Sequence, residues 1–481
     1  MLTSAGVSAV DGNYSLRAGL FGEFADSLAL RYGGYDSLYT GWVSKIMFQP
    51  HVGEQVLSNM AGKERSLEVL RNTSFRGAEK LRRGWRVTLE GADGLQKIHT
   101  RVLVDCTELG DVAAACGAAY DVGMEGTGVL QDLTYVITVR EYPDDRTIPR
   151  PEGYDIDRYR NCCINPLNTV LETGQRLWSV DRMLSYGRLP GGDIMLNWPI
   201  EGNDFYADMV TASPEEREKL IHDAKQVALG YLYFIQTELG YNNIGIAEGE
   251  YPTEDGLPLI PYFRESRRIR GVQRFDIPDA EDPYSTGSYR DGIAVGDYPV
   301  DHHHFRHPDW KTFPNFFNNR ILPFTIPMGC MIPESVEDLI VAEKSISVSN
   351  AVNGTTRLQP VVMELGQAAG ALAALTASSG RKAREVKASE VQDILLSQGC
   401  MMMPFCDVTP DDPDFVAIQK TALRGILRGS GKSIGWANRM YFYPDAALAK
   451  EDIHDLPECI NVADLSGMTR REAARVICEA L

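Results

Sequence analysis

Residues Asp301-His302-His303-His304-Phe305-Arg306-His307 have the densest chemistry in this chain. Three consecutive histidines cannot share one face of a regular element, so the spacing predicts a loop that presents one or two rings to a site. An imidazole there is suited to general acid or base work, because it titrates near neutrality. Three readings stay open: a structural or surface histidine run, a site histidine among His302, His303 and His304, and a metal ligand. No carboxylate stands at a convincing metal-ligand spacing from them, so no metal is assigned.

A second charged stretch is Phe263-Arg264-Glu265-Ser266-Arg267-Arg268. Read as a strand, it places Arg264, Ser266 and Arg268 on one face and Glu265 and Arg267 on the other. Arginine at Arg264 or Arg268 can hold a substrate carboxylate or hydroxyl cluster. An inter-strand ion-pair ladder explains the same pattern. A third stretch runs from a buried-looking strand, Asp338 to Ala342, through Ser349-Asn-Ala-Val-Asn-Gly-Thr-Thr-Arg-Leu-Gln-Pro360, into a small-residue helix, Val361 to Leu375. Strand, Asn/Gly turn and Pro-started helix put free N–H groups and a helix dipole over a site for an anionic or electron-rich ligand. An ordinary tightly packed helix gives the same pattern. Gly354 is expected to supply an unusual backbone angle in the turn, Thr355 or Asn353 to bond the ligand, Arg357 to complete the turn, and Pro360 and Met363 to line the cofactor.

The order of residues from Arg320 to Ala377 resembles the C-terminal flavin-contacting segment of FAD-dependent oxidoreductases of the glutathione-reductase type. More narrowly it looks like the bacterial group known as FAD-dependent oxidoreductase or xanthan lyase-like proteins. The resemblance covers most of residues 1–400, with its most specific stretches at 1–12, 101–117, 263–268 and 320–377. It implies an α/β fold: an FAD-binding, Rossmann-like domain split by an inserted α+β substrate domain. It also implies FAD as cofactor and hydride transfer between flavin and a small, sugar-derived or otherwise polyhydroxylated substrate. Cys106-Thr107-Glu108 stands where the family has Ala-Thr-Gly, with Asp111 in the following turn. Phe75 matches the position whose backbone meets the adenine, and Thr3, Ser4 and Gly6 fall in the first resembling stretch. The histidine run, following Gly296-Asp-Tyr298, would lie near the flavin and could stabilise its reduced form. The competing class is a flavin-less binding or cell-wall-associated protein.

The chain opens Met1-Leu-Thr-Ser-Ala-Gly-Val-Ser-Ala-Val-Asp-Gly12. In the resembled group a similar stretch lies inside the protein, after the strand–GxGxxG–helix unit that holds the FAD pyrophosphate. No GxGxxG between a strand and a helix occurs here, and Gly126-Thr-Gly128 lacks a following phosphate glycine. The expectation is a product that begins at an internal Met; a relative that has lost FAD is the other option.

The elements that must position these residues are legible in part. Residues 13–34 carry a helical period with a Gly-Gly stop, and Pro50 starts a second helix. Leu67 to Leu70 reads as a strand, Trp85 to Leu89 and Lys97 to Thr100 as a meander, Arg101 to Asp111 as a buried strand and turn, and Ala113 to Ala119 as a helix. Ser213, Pro214 and Glu216 mark a helix start. The expected domains are 1–130 (FAD-binding, first part), 131–320 (substrate domain), 321–400 (FAD-binding, second part) and 401–481, a small helical module. That tail weakly resembles surface-layer-homology repeats, which would imply cell-wall contact.

At 481 residues two or three domains are expected. Formal charge is 48 − 66 = −18, which argues against nucleic-acid or anionic-membrane partners. The nine cysteines are odd in number and lack a Cys-x-x-Cys pair, which points to reduced thiols in a cytoplasmic protein; a lost signal peptide would make it exported. No transmembrane run is expected, a small molecule is the expected substrate, and a homo-oligomer is left open.

Overall fold

The computed structural model describes residues 2–41, 44–160, 164–165, 169–170, 176–316 and 319–481. Its organising feature is a parallel pair, Leu103–Asp105 beside Leu339–Val341, in the register Leu339↔Leu103 to Val341↔Asp105. The second strand is fully buried, which is why its sequence reads as an unbroken apolar run rather than an alternation. The 21-residue helix Gln359–Ser379 packs along this pair. It is long and apolar enough to cross a membrane by length and composition, yet it buries Val361, Glu364, Leu365, Ala368, Ala369 and Leu372 in the protein core. The helix Gly19–Tyr32 packs against it and Pro50–Lys63 packs against Gly19–Tyr32, which ends at Gly33 in a left-handed conformation (φ 84°). That φ is the reason for a glycine stop.

The meander is three-stranded: Ser74–Lys80, Trp85–Gly91 and Gly94–Thr100, all antiparallel. The strand expected at Leu67 to Leu70 does not form. Leu67, Val69 and Leu70 stand 52%, 55% and 42% exposed, so that segment gains neither a ladder nor a buried face. A strand needs one or the other to hold it.

A second antiparallel sheet places Ile137–Glu141 between Ile194–Leu196 and Ile244–Ile246. The 24-residue helix Pro214–Thr237 covers it, opened by the expected capping box between Ser213 and Glu216. Tyr135, Tyr159, Tyr231, Leu232 and Ile235 fill the space between. The stretch 263–268 is not a regular strand; pairing begins only at Arg268–Ile269. The alternation fails there, because Glu265 meets Arg268 across an i,i+3 spacing at 3.2 Å.

The largest core cluster runs without a break from Phe275 through the helix Gln359–Ser379 to Ile477, so apolar packing crosses position 400. The tail holds helices Phe415–Leu423 and Arg470–Ala480 and a two-stranded pair, Ser430–Lys432 with Arg439–Tyr441. Cys162 and Cys163 lie outside the described residues.

One polar knot sits inside this core. The Asn13 N–H donates to Asp297 Oδ1 (2.7 Å), Asn13 Nδ2 to Glu364 Oε1 (3.1 Å), and the Val295 N–H to Glu364 Oε2 (2.7 Å). Burial pushes Asp297 up to about 7 and Glu364 well above its ordinary range. A carboxyl with a raised native pKa stabilises the fold fully below its unfolded value and loses that contribution as pH rises through the native one. Asp297→Asn keeps the acceptor and removes the ionisation. The variant should match the native protein at pH 4, and at pH 8 exceed it by about 2–4 kcal/mol in denaturant unfolding. Equal pH dependence of the two proteins would refute this reading.

Candidate functional site

Two groups of residues converge on the N-terminal end of the helix Gln359–Ser379. The first lines a cleft of about 300 Å³ bounded by Leu2, Thr3, Cys106, Glu108, Glu343, Gln359, Met363 and Gly366. The N-cap Leu358 offers this helix no side-chain cap, and its first turn carries Pro360, so among the described residues its opening N–H groups and positive dipole end are available to a ligand. Gln359 Oε1 is buried without a partner among the described residues. A side chain on Gly366 would meet nothing within 4 Å.

The far wall of the cleft carries a buried ion triad. Lys344, with a fully buried side chain, bonds Glu108 Oε2 and lies 3.0 Å from Glu343 Oε2. Burial works against the Glu108 carboxylate, but Lys344 outweighs it and holds Glu108 down to about 2; burial keeps Glu343 raised. Glu343 sits at φ +61°, a conformation an L-residue with a long side chain rarely holds without outside support.

The second group surrounds His303. Its Nδ1–H donates to Asp204 Oδ2 at 2.6 Å, and its Nε2 faces Asp301 Oδ1 at 3.6 Å. Arg357, buried, reaches Asp301 Oδ2 (3.0 Å) and Tyr262 Oη (2.5 Å). Arg264 donates to Thr134 Oγ1 (2.7 Å) and to the Asp132 carbonyl (2.9 Å), and lies 3.6 Å from Asp204. Burial alone would raise both carboxyls. Arg264 and His303 beside Asp204, and His303 and Arg357 beside Asp301, hold them below the ordinary carboxylate range instead. Two neighbours go the other way: burial pushes Asp11 and Asp132 up to about 6. The cluster thus pairs carboxylates held low with ones that burial raises toward neutrality, a pattern suited to proton transfer.

Histidine alternation separates the run. His303 points to the carboxylates, while His302 donates Nε2–H to the Ala351 carbonyl (3.0 Å) and stacks on Phe316. The turn expected at Asn353 to Arg357 is a helix, Asn350–Thr356. Gly354 does not adopt a positive φ, so the expected backbone role is corrected. Its requirement is space, since a Cβ there would lie 2.5 Å from His302 Cδ2 and 2.6 Å from the Asp301 carbonyl. Gly354→Ala should cost about 1–3 kcal/mol in denaturant unfolding, because the second contact is backbone and cannot swing away.

Other expected residues fall as follows. Thr3, Cys106 and Met363 line the cleft, and Pro360 is buried in its helix. Ser4 accepts backbone bonds from Leu259 and Ile260, and Gly6 packs under Tyr251. Asn353 donates to the Arg264 carbonyl (2.9 Å) and Thr355 to the Tyr298 carbonyl (2.6 Å), which tie the loop to the helix. Thr107 bonds Asp105, and Asp111 is clamped by Arg217 and Arg267, facing away from the cleft. Phe75 packs in the meander core. Arg268 is enclosed by Val348, Glu265, Gly123 and Glu125, which occupy its donors. The residues not anticipated are Asp204, Lys344, Glu343 and Gln359; Asp301 opens the histidine stretch, but its place as a partner of His303 was not anticipated. Asp204 lies 99 residues from His303 in sequence, so no local spacing announced it.

The profile of a family described as FAD dependent oxidoreductase matches residues 1–395. The chain belongs to this FAD-dependent oxidoreductase family. The cofactor of that family is FAD. No curated protein matches the chain. Among solved structures it is similar to CabE, an aromatic hydroxylase from angucycline biosynthesis, at 21% identity over 30% of this chain and 27% of that one, with a TM-score of 0.17. It is also similar to OxyS anhydrotetracycline hydroxylase from Streptomyces rimosus, at 12% identity over 89% of this chain and 59% of that one, with a TM-score of 0.30. The chain spans under two thirds of both structures.

The cleft residues fit part of FAD. Carboxylates that accept from hydroxyl groups at Glu108 and Glu343 suit its ribityl or ribose hydroxyls. Two glutamate carboxyls on that wall offer acceptors rather than donors, which does not suit the pyrophosphate. The open helix N-terminus suits the electron-rich edge of the flavin ring.

Proposed function

We propose that this oxidoreductase removes a hydride and a proton from a hydroxyl- or amino-bearing carbon of a small, polyhydroxylated substrate. The fold is read as glutathione-reductase type, with residues 131–320 inserted as the substrate-binding part between FAD-binding parts 1–130 and 321–400. Residues 401–481 form a closing module. FAD, when bound, supplies the two-electron acceptor. Thr3, Glu108, Glu343, Gln359 and Met363 would hold it.

The observation that carries this reading is His303 held between Asp204 and Asp301. Asp204 fixes the tautomer by accepting the Nδ1–H, which leaves Nε2 as the base. Nε2 takes the substrate O–H or N–H proton as the C–H hydrogen departs with its electron pair, and a carbonyl or imine forms. Asp301, itself fixed by Arg357, stabilises the imidazolium. Arg264 and Arg357 keep the two carboxylates ionised and in place.

The test is anaerobic single turnover of the FAD-loaded protein against polyols, hydroxy acids and amines. Bleaching of the flavin with a product two hydrogens lighter is expected. A product that gains oxygen from O2, or no bleaching by any of these classes, would overturn it.

A further inference from the structure

Behind the histidine run lies a box of rings that the proposed reaction does not use. His302, His304, Phe305, Trp310, Phe313 and Phe316 enclose about 290 Å³. The rings hold one another at 4.5 Å (His302–Phe316), 5.7 Å (His304–Phe313) and 5.1 Å (Phe305–Trp310). His302 is 3% exposed at the floor, and Trp310 is 39% exposed at the mouth. Because His303 points the opposite way, to Asp204, the box is separate from the His303 cluster.

We propose that this box binds a small, flat, uncharged ring bearing a hydroxyl, of the phenol class, at a second site independent of the reaction assigned above. Protein interiors close-pack such rings when nothing is meant to enter, yet a space persists here. An apolar cavity of about 150 Å³ already takes a benzene, so this one has room for a substituted ring. Flat walls favour offset or edge-on stacking of a flat guest.

The wall also carries unmet polar capacity. His302 spends Nε2–H on Ala351, which leaves its Nδ1 lone pair without a partner among the described residues; both ring nitrogens of His304 are likewise unpaired. Burial first, then His304 beside His302 and His303 and His307 beside His304, hold His302 down to about 3 and His304 to about 4. Both are therefore neutral in neutral solution. A hydroxyl can donate to one and accept from another, which a purely apolar guest cannot do. Lys311 lines the cavity beside Trp310, 5.7 Å from its ring, while the floor at His302 and His304 carries no cation.

The test is fluorine NMR of 4-fluorophenol with the full chain, with fluorobenzene as the comparison probe. Saturable one-to-one binding of 4-fluorophenol is expected, at least tenfold tighter than fluorobenzene. Trp310→Ala, at the exposed mouth, should weaken it at least fivefold. His304→Leu should abolish the preference over fluorobenzene. Circular dichroism on both variants checks folding. His303→Gln should bind 4-fluorophenol like the parent, which separates this site from the proposed reaction. No saturable binding, equal affinity for the two probes, or indifference to both box variants would overturn the proposal.

Discussion

Lys344→Met will destabilise the protein by about 3–5 kcal/mol, the cost of leaving a buried charge pair with one sign missing. The lysine ammonium is fully buried and serves two carboxylates, Glu108 and Glu343. Methionine fills the volume but removes the ammonium that both acids face in a low-dielectric wall. Burial already raises Glu343 even with the lysine present, and removing the ammonium takes away the largest influence that holds Glu108 down. Both carboxyls in the variant then have native values higher than in the parent. Its stability should recover as pH falls below the ordinary glutamate range and worsen as pH rises. Glu108→Gln placed on top of Lys344→Met should restore a good part of the loss, since only one acid then remains. Denaturant unfolding between pH 4 and 8 reads all three proteins. A loss below about 1 kcal/mol, the range of exposed pairs, would show that the triad is solvated and the wall is not what the geometry indicates.

His303→Gln should lower the rate of substrate-driven flavin reduction by about 10²–10⁴-fold, the usual contribution of a positioned base. Bound FAD and overall stability should change little. Asp204→Asn should lower the rate too, through its partner: an amide can present its N–H toward Nδ1 and so favour the wrong tautomer. The discriminating readout is the solvent deuterium isotope effect on flavin reduction. It should be present in the native enzyme, where a substrate O–H or N–H proton moves to Nε2. It should be altered in His303→Gln. If Asp204→Asn slowed turnover without altering that effect, Asp204 would be holding the loop through Thr134 and Arg264 rather than acting on His303.

Much of what positions these groups could be read from the sequence, for identifiable reasons. Ser213, Pro214 and Glu216 mark a helix start because cap chemistry is local. The strand Leu339–Val341 shows as an apolar run because both its faces are covered. Where the deciding contacts are distant in sequence, the reading failed. Leu67 to Leu70 has strand composition, but no ladder partner reaches it. Gly354 looked like a turn glycine, while its actual constraint comes from His302 and Asp301, about fifty residues away. The histidine run was visible at once. Which ring works depended on Asp204 and Asp301, and the alternation of the loop supplied the answer only once both faces could be seen. Cofactor class was legible because the helix-opening pattern is contiguous; substrate class was not, because the groups gathered around His303 are far apart in sequence.

The central claim is that FAD lies in the cleft between Thr3, Cys106, Glu343 and the start of the helix Gln359–Ser379. Gly366 opens onto that cleft with space beyond it, so Gly366→Leu fills the site without disturbing the core. Titration of the purified protein with FAD, followed by flavin fluorescence and protein circular dichroism, is the most direct measurement. The account predicts saturable binding by the native chain and by His303→Gln, and loss of at least tenfold in affinity in a folded Gly366→Leu. FAD affinity unchanged in Gly366→Leu would contradict it.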